Sequence, residues 1–142
     1  MPKNPSFPIG ITIFVVRNGK LLLGKRRGSK TEDAWGLPGG YLKDGESMVE
    51  AAVRELKEQT SLTAKKCKFI NLVNDNANAV HHAIQVGFLV DEITGEPKLM
   101  ESDAYFEWKW FSLESLPEPI FLDHAKQIEL FLNHLHFGDT SN

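Results

Sequence analysis

An α+β domain, with a mixed sheet and helices packed against it, is the fold class that the sequence predicts. Three observations predict it. Aliphatic and β-branched runs flank an Asn-Gly pair near the start of the chain, a strong hairpin signal. At Met48–Leu56 the hydrophobic period switches to helical spacing. Two more strand-like runs follow, a third short one comes after a polar connection, and the chain closes on a second amphipathic segment. The order is therefore strands, helix, strands, helix.

Each element has its own reason. "MPKNPSFPIG" holds three prolines and no long apolar core, so residues 1–8 are expected to form a flexible N-terminal segment and not a signal peptide. "IGITIFVVRNGKLLLGKRR" reads as two strands around the turn "RNGK". "GSKTEDAWG" is polar and reads as a loop, and "LPGGYLKDGES" as a loop or short strand. Met48, Val49, Ala52, Val53 and Leu56 make one apolar stripe, and Ser47 with Glu50 fits a capping box. A helix is predicted from about Ser47 to Thr60. "KFINLVND" and "HHAIQVGFLVDEI" read as strands separated by "NDNANA", and "WKWFSL" as a short strand after the polar connection "TGEPKLMESDAYFE". In "DHAKQIELFLNHL", Ile128, Phe131, Leu132 and Leu135 give the second helix a stripe that would pack on the chain's own sheet.

Bulk properties narrow the function. A chain of 142 residues suits one domain, 1–142, with a sizeable core. Its net charge of −3 excludes coating of DNA or RNA, which needs a basic face, but leaves room for a small phosphorylated ligand. No apolar run approaches the roughly 20 residues that span a bilayer. Cys67 is the single cysteine, so no internal disulfide forms, which fits a reducing cytoplasm. It is read as a structural or surface thiol. Monomer and homodimer are both expected states.

The segment "GGYLKDGESMVEAAVRELKEQTSL" carries the chemistry. On a helix Glu55 neighbours both Glu58 and Gln59, on the side away from the Met48–Leu56 stripe and hence toward an open surface or cleft. Gathered oxygens are what Mg²⁺ or Mn²⁺ requires. A glycine ahead of the helix lets a backbone carbonyl approach the same ion. The spacing has a blander consequence as well: Glu50–Arg54 and Arg54–Glu58 are i,i+4 pairs of the kind that decorate any solvated helix.

The wider pattern resembles the Nudix box, G-x5-E-x7-R-E-U-x-E-E-x-G-U. Gly40 and Glu46 stand at its first fixed positions, Arg54, Glu55 and Leu56 at R-E-U, Glu58 at the first acid of the pair, and Leu62 at its end. The preceding "WGLPGG" and the flanks from about Gly10 to Leu122 are similar to the MutT-like nucleotide pyrophosphatase branch. The resemblance implies the Nudix fold, an α/β/α sandwich with a central mixed sheet. It implies metal-dependent hydrolysis of a nucleoside diphosphate linked to another group, foremost a (deoxy)nucleoside triphosphate giving monophosphate and pyrophosphate. Alternatives are a nucleoside-diphosphate sugar or dinucleoside polyphosphate as substrate, or a degenerate domain that binds a nucleotide with weak or no hydrolysis. Two departures stand out. Gln59 replaces the second acid of the pair, and Ser61 replaces the helix-ending glycine.

Carried over residue by residue, the resemblance implies Glu55 as central metal ligand and candidate base, with Glu58, Gln59 and the Gly40 carbonyl completing a site for Mg²⁺ or, in its place, Mn²⁺. Arg54 would orient Glu55, and Glu46 would brace the loop or tie down Arg54. Glu101 and Asp103 are candidates for a further acid. Among Lys25, Arg26 and Arg27, Arg27 is favoured for phosphate because it ends the strand. Trp35 and Phe121 offer flat faces to a base. His81 or His82 could line the pocket, with His82 preferred, whereas His124, His134 and His136 are read as surface positions on the last helix. Trp108 and Trp110 share a strand face and one or both belong to the core.

Overall fold

The computed structural model describes residues 6–28, 33–76, 82–100 and 104–140. Residues 1–5, His81, Glu101 and Asp103 lie outside them. Strands β1 (Ile9–Arg17) and β2 (Lys20–Arg26) form the hairpin predicted around Asn18 and Gly19. Both turn residues have positive φ, 54° and 74°, the combination whose twist matches that of the flanking strands. Two short strands, β3 (Trp35–Gly36) and β4 (Gly39–Tyr41), lead into helix α1 (Met48–Thr60). β5 (Thr63–Asp75), β6 (Ala83–Thr94), β7 (Tyr105–Ser112), α2 (Leu122–Leu132) and β8 (Phe137–Asp139) complete the chain. β5 and β7 begin earlier than their apolar cores suggest, and β8 follows α2 where the sequence reading extends the helix to Leu135.

The strand order is β3-β2-β1-β6-β5-β8, with β4 also on β1 and β7 also on β2. β1–β6 and β5–β8 run parallel and the other pairs antiparallel, so the sheet is mixed. β1 alternates its side chains between two layers. Ile11, Ile13 and Val15 join Ala51, Ala52 and Leu56 of α1 in one core; Phe14 joins Ile128 of α2 in the other. This is an α/β/α sandwich. Thr12 points toward α2, where the buried Gln127 amide donates to its hydroxyl at 2.7 Å and to Asn71 Oδ1 at 3.2 Å. A buried polar network of this kind fixes how the helix sits, because each unpaired member would carry a desolvation penalty.

α1 is bounded as its sequence dictates at both ends. Ser47 accepts from the Glu50 amide at 3.0 Å while Glu50 accepts from the Ser47 amide at 3.0 Å. Ser61 caps the C-terminus in the left-handed region, φ 70°, with its N–H on Lys57 O. The buried face, however, is Ala51, Ala52, Glu55, Leu56 and Thr60. Met48 and Val49 of the predicted stripe are 41% and 46% exposed. The two alanines bring the helix close to the sheet, and its first turn overhangs the edge of that contact. α2 ends at Leu132, leaving Leu132 and Leu135 exposed. Phe7 packs on the His82 ring and Pro8 O accepts the Ile84 amide, so the strand pairing is prolonged ahead of β1.

Candidate active site

The site begins where β1 forks. Its first half pairs with β4 at Gly10–Thr12 and its last residues pair with β2 at Val16 and Arg17. β4 therefore joins the sheet beside the first half of β1, next to α1, and Gly40 comes to rest on Glu55. A Cβ at Gly40 would fall 2.3 Å from Glu55 Cδ and Oε1 and 2.4 Å from Oε2. Only glycine allows this approach of backbone to carboxylate. Glu55 is 6% exposed, so of the open surface or cleft that helical spacing suggested, its side chain takes the enclosed position.

An enclosed carboxylate needs partners, and Arg54 supplies the main one. Its Nη1 donates to Glu55 Oε1 at 2.6 Å and to Glu58 Oε2 at 3.2 Å. Its Nε and Nη2 form a fork on Glu46, at 2.9 and 2.6 Å, and Nη2 also reaches Tyr41 O at 3.1 Å. Paired donors on one carboxylate give strength and a fixed orientation. The Arg54 hydrogen bonds hold the Glu46 carboxyl at about 2, well below the usual carboxylate range, with help from the Lys43 amide. Reciprocally, Glu46 and then Glu55 push the Arg54 guanidinium above its ordinary value. The other oxygen of Glu55 faces Gln59, whose Nε2 donates to Oε2 at 3.4 Å. The Gln59 backbone is pinned in turn, because Trp108 Nε1 donates to its carbonyl at 3.0 Å.

Beside this cluster lies a cleft lined by Thr12, Arg26, Gly40, Tyr41, Gln85, Phe121, Asp123 and His124 among others. Arg26 lies between two rings, 4.9 Å from Tyr105 and 4.3 Å from Phe121. Such stacking presents a cation and a flat apolar face together.

The structure thus brings together Gly40, Glu46, Arg54, Glu55, Glu58 and Gln59, and places Phe121 in the adjoining cleft. It holds three other candidates elsewhere. Trp35 packs edge-on against Phe111 and under Lys25, in the core below α2. His82 is engaged with Asn74 and the Phe7 ring. The Arg27 guanidinium sits 4.1 Å over the Phe106 ring. Arg26, not Arg27, is the basic residue lining the cleft. Strand alternation turns neighbours to opposite faces, and Arg26 is the one turned toward Tyr105 and Phe121. His124 is a second correction: it is 7% exposed, on the inner face of α2, whereas His134 and His136 follow the helix and are exposed. Asp123, Gln85 and Thr12 also line the cleft, and no spacing in the sequence marks them. Trp108 and Trp110 pack against the core below α1.

Among the described residues no three acidic, His or Cys side chains converge as a ready-made metal group. The donors that do gather are hard oxygens: the Glu55 and Glu58 carboxylates, the Gln59 amide and the backbone of Gly40. Their chemistry fits Mg²⁺ or Mn²⁺, which bind through one or two carboxylates and fill the remaining positions with water or phosphate.

The chain is similar to several known proteins. It is 32% identical to an ADP-ribose pyrophosphatase from Methanocaldococcus jannaschii, over 87% of this chain and 72% of that one. It is 30% identical to an oxidized purine nucleoside triphosphate hydrolase from Danio rerio, over 74% and 66%. Its fold matches the crystal structure of a MutT NUDIX hydrolase from Burkholderia pseudomallei with a TM-score of 0.80 and 28% identity, covering 88% of this chain and 98% of that one. The model of the NUDIX domain matches residues 6–131. The chain belongs to the Nudix family, as a MutT-like pyrophosphohydrolase.

Proposed function

We propose that the protein cleaves the diphosphate of a nucleoside diphosphate derivative in a metal-dependent reaction and releases a nucleoside monophosphate. The observation that carries this reading is the Gly40–Glu55–Arg54 arrangement, an enclosed carboxylate held in one orientation beside a cleft. Glu55 and Glu58 would hold the cation, with the Gln59 amide oxygen and the Gly40 carbonyl as neutral ligands. When bound, that cation neutralises phosphate charge and makes a coordinated water acidic. The chain's own residues do the rest. Arg54 fixes the Glu55 carboxylate, which accepts a proton from the attacking water. Arg26 offers a positive charge to the phosphates at the cleft, and the Phe121 ring offers a stacking face to the base.

A (deoxy)nucleoside triphosphate, cleaved to monophosphate and pyrophosphate, is the first substrate class; the likeness to the triphosphate hydrolase from Danio rerio supports it. The likeness to the ADP-ribose pyrophosphatase favours a second, a nucleoside diphosphate joined to a sugar. Incubation of a panel of both classes with Mg²⁺ or Mn²⁺, with product identification, separates them. Cleavage by the wild type and its loss by at least a hundredfold in Glu55→Gln, the scale on which general acid–base groups contribute, support the reading. Nucleotide binding with no cleavage of any panel member would leave a binding domain in its place.

A further inference from the structure

His124 is the one buried titratable side chain in the cleft that the reaction above does not use. Its ring is wedged against the backbone of Gly36 and Leu37. The Leu37 N–H donates to Nδ1 at 2.9 Å, and a Cβ at Gly36 would lie 2.9 Å from the same atom. The Phe121 ring meets the imidazole edge-on, at 4.9 Å and 88°. A ring nitrogen that accepts an N–H carries no proton of its own. Burial, and then the nearby Arg26 charge, push the imidazole pKa down to about 3, so the ring is neutral at ordinary pH. Its single proton is therefore on Nε2. Among the described residues Nε2 has no protein partner, and the 7% of His124 that stays exposed opens on the cleft.

We propose that His124 is a specificity-determining residue, in which the Leu37 amide locks one tautomer so that Nε2–H is a permanent donor to an acceptor atom of the nucleobase, a ring nitrogen or carbonyl oxygen. The inference rests on the nucleotide reading of the cleft and deepens it. An ordinary histidine would alternate between donor and acceptor and would gain a charge in mild acid. This one does neither, since burial and then Arg26 oppose its protonation and the Leu37 amide fixes its proton. Arg26 and Asp123 are the other charged groups on the cleft wall.

The test uses the full chain labelled with ¹⁵N at histidine and needs no turnover. Long-range ¹H–¹⁵N spectra should show His124 as the neutral Nε2–H tautomer from pH 5 to pH 8. A nucleoside monophosphate should shift its Nε2–H resonance; ribose 5-phosphate, which lacks a base, should not. A variant pair separates donor from structural roles. His124→Asn keeps an oxygen where Nδ1 accepts from Leu37 but removes the distal donor. His124→Gln restores a distal N–H. Monophosphate affinity should fall about tenfold in the first, the worth of one neutral hydrogen bond, and recover in part in the second. An Nδ1–H tautomer, an equal shift with ribose 5-phosphate, or wild-type affinity in His124→Asn would overturn the proposal. Absence of cleavage in the substrate panel, with the Nε2–H shift intact, would instead count against the hydrolytic reading alone.

Discussion

Replacing Gln59 by Glu restores the acid that the Nudix pattern carries at this position, and the structure says what that does before any metal is added. Gln59 Nε2 now donates to Glu55 Oε2 at 3.4 Å. In Gln59→Glu a carboxylate oxygen stands there instead, facing one that is nearly buried. At that separation two unit charges repel by about 1.2 kcal/mol in a water-like medium and about 5 kcal/mol at an effective dielectric of 20. Gln59 is only partly buried and its replacement can swing outward, so about 2 kcal/mol is the expected metal-free destabilisation, the lost hydrogen bond included. For a domain of this size that lowers the melting temperature by roughly 6 °C. Thermal melts in chelator and in a Mg²⁺ series read it directly. The variant should melt lower than wild type without metal, close the gap as Mg²⁺ rises, and bind Mg²⁺ about tenfold more tightly, since its added charge faces the ion. Equal metal-free melting temperatures would refute the contact between residue 59 and Glu55.

Ser61→Gly should stabilise the protein. Ser61 holds φ 70°, a conformation costing a non-glycine residue about 1 kcal/mol, although the greater freedom of glycine in the unfolded chain returns part of that gain. A rise of about 1–3 °C in the melting temperature is expected, and no rise would mean that Ser61 is not strained. Glu46→Gln should flatten acid sensitivity. The native carboxyl lies at about 2, below its ordinary 4.5, so its stabilisation is complete above about pH 4.5 and is lost as pH falls toward 2. Urea unfolding at pH 6 and pH 3 should show wild type losing more stability between the two than the variant does.

The elements set by neighbours in sequence were legible in it. The Asn18–Gly19 turn and the Ser47–Glu50 capping box each depend on a few adjacent residues, and both form as read. The two-layer core is what the Nudix resemblance implies, while the periodicities alone predict helices packed on a mixed sheet. What escaped depends on approach from elsewhere in the chain. The inward rotation of Glu55 is decided by Gly40 on another element. The choice of Arg26 over Arg27 at the cleft is decided by the rings of Tyr105 and Phe121, brought from later in the chain, between which Arg26 lies. His124 reads as a polar residue near a helix start until Leu37, 87 positions away, supplies the N–H that makes its burial tolerable. β8 is three residues long, and its place is set by the parallel edge of β5 rather than by any pattern of its own.

The acid cluster also bears on how much the departure at residue 59 matters. Three carboxylates, Glu46, Glu55 and Glu58, share one guanidinium. Arg54 directs its fork onto Glu46 and divides Nη1 between Glu55 and Glu58. The unneutralised charge therefore collects on Glu55 and Glu58, beside Gly40. A fourth carboxylate at residue 59 would add to it with no further cation among the described ion pairs of the cluster. A glutamine adds none, and its amide steadies Glu55. Mg²⁺ rarely needs a full protein cage, and two carboxylates with water and substrate phosphate are an ordinary set for it. By that reasoning Gln59 weakens the hold on a free ion more than on an ion arriving with a polyphosphate, and its effect should appear in the metal concentration that supports turnover before it appears in the rate at saturating metal.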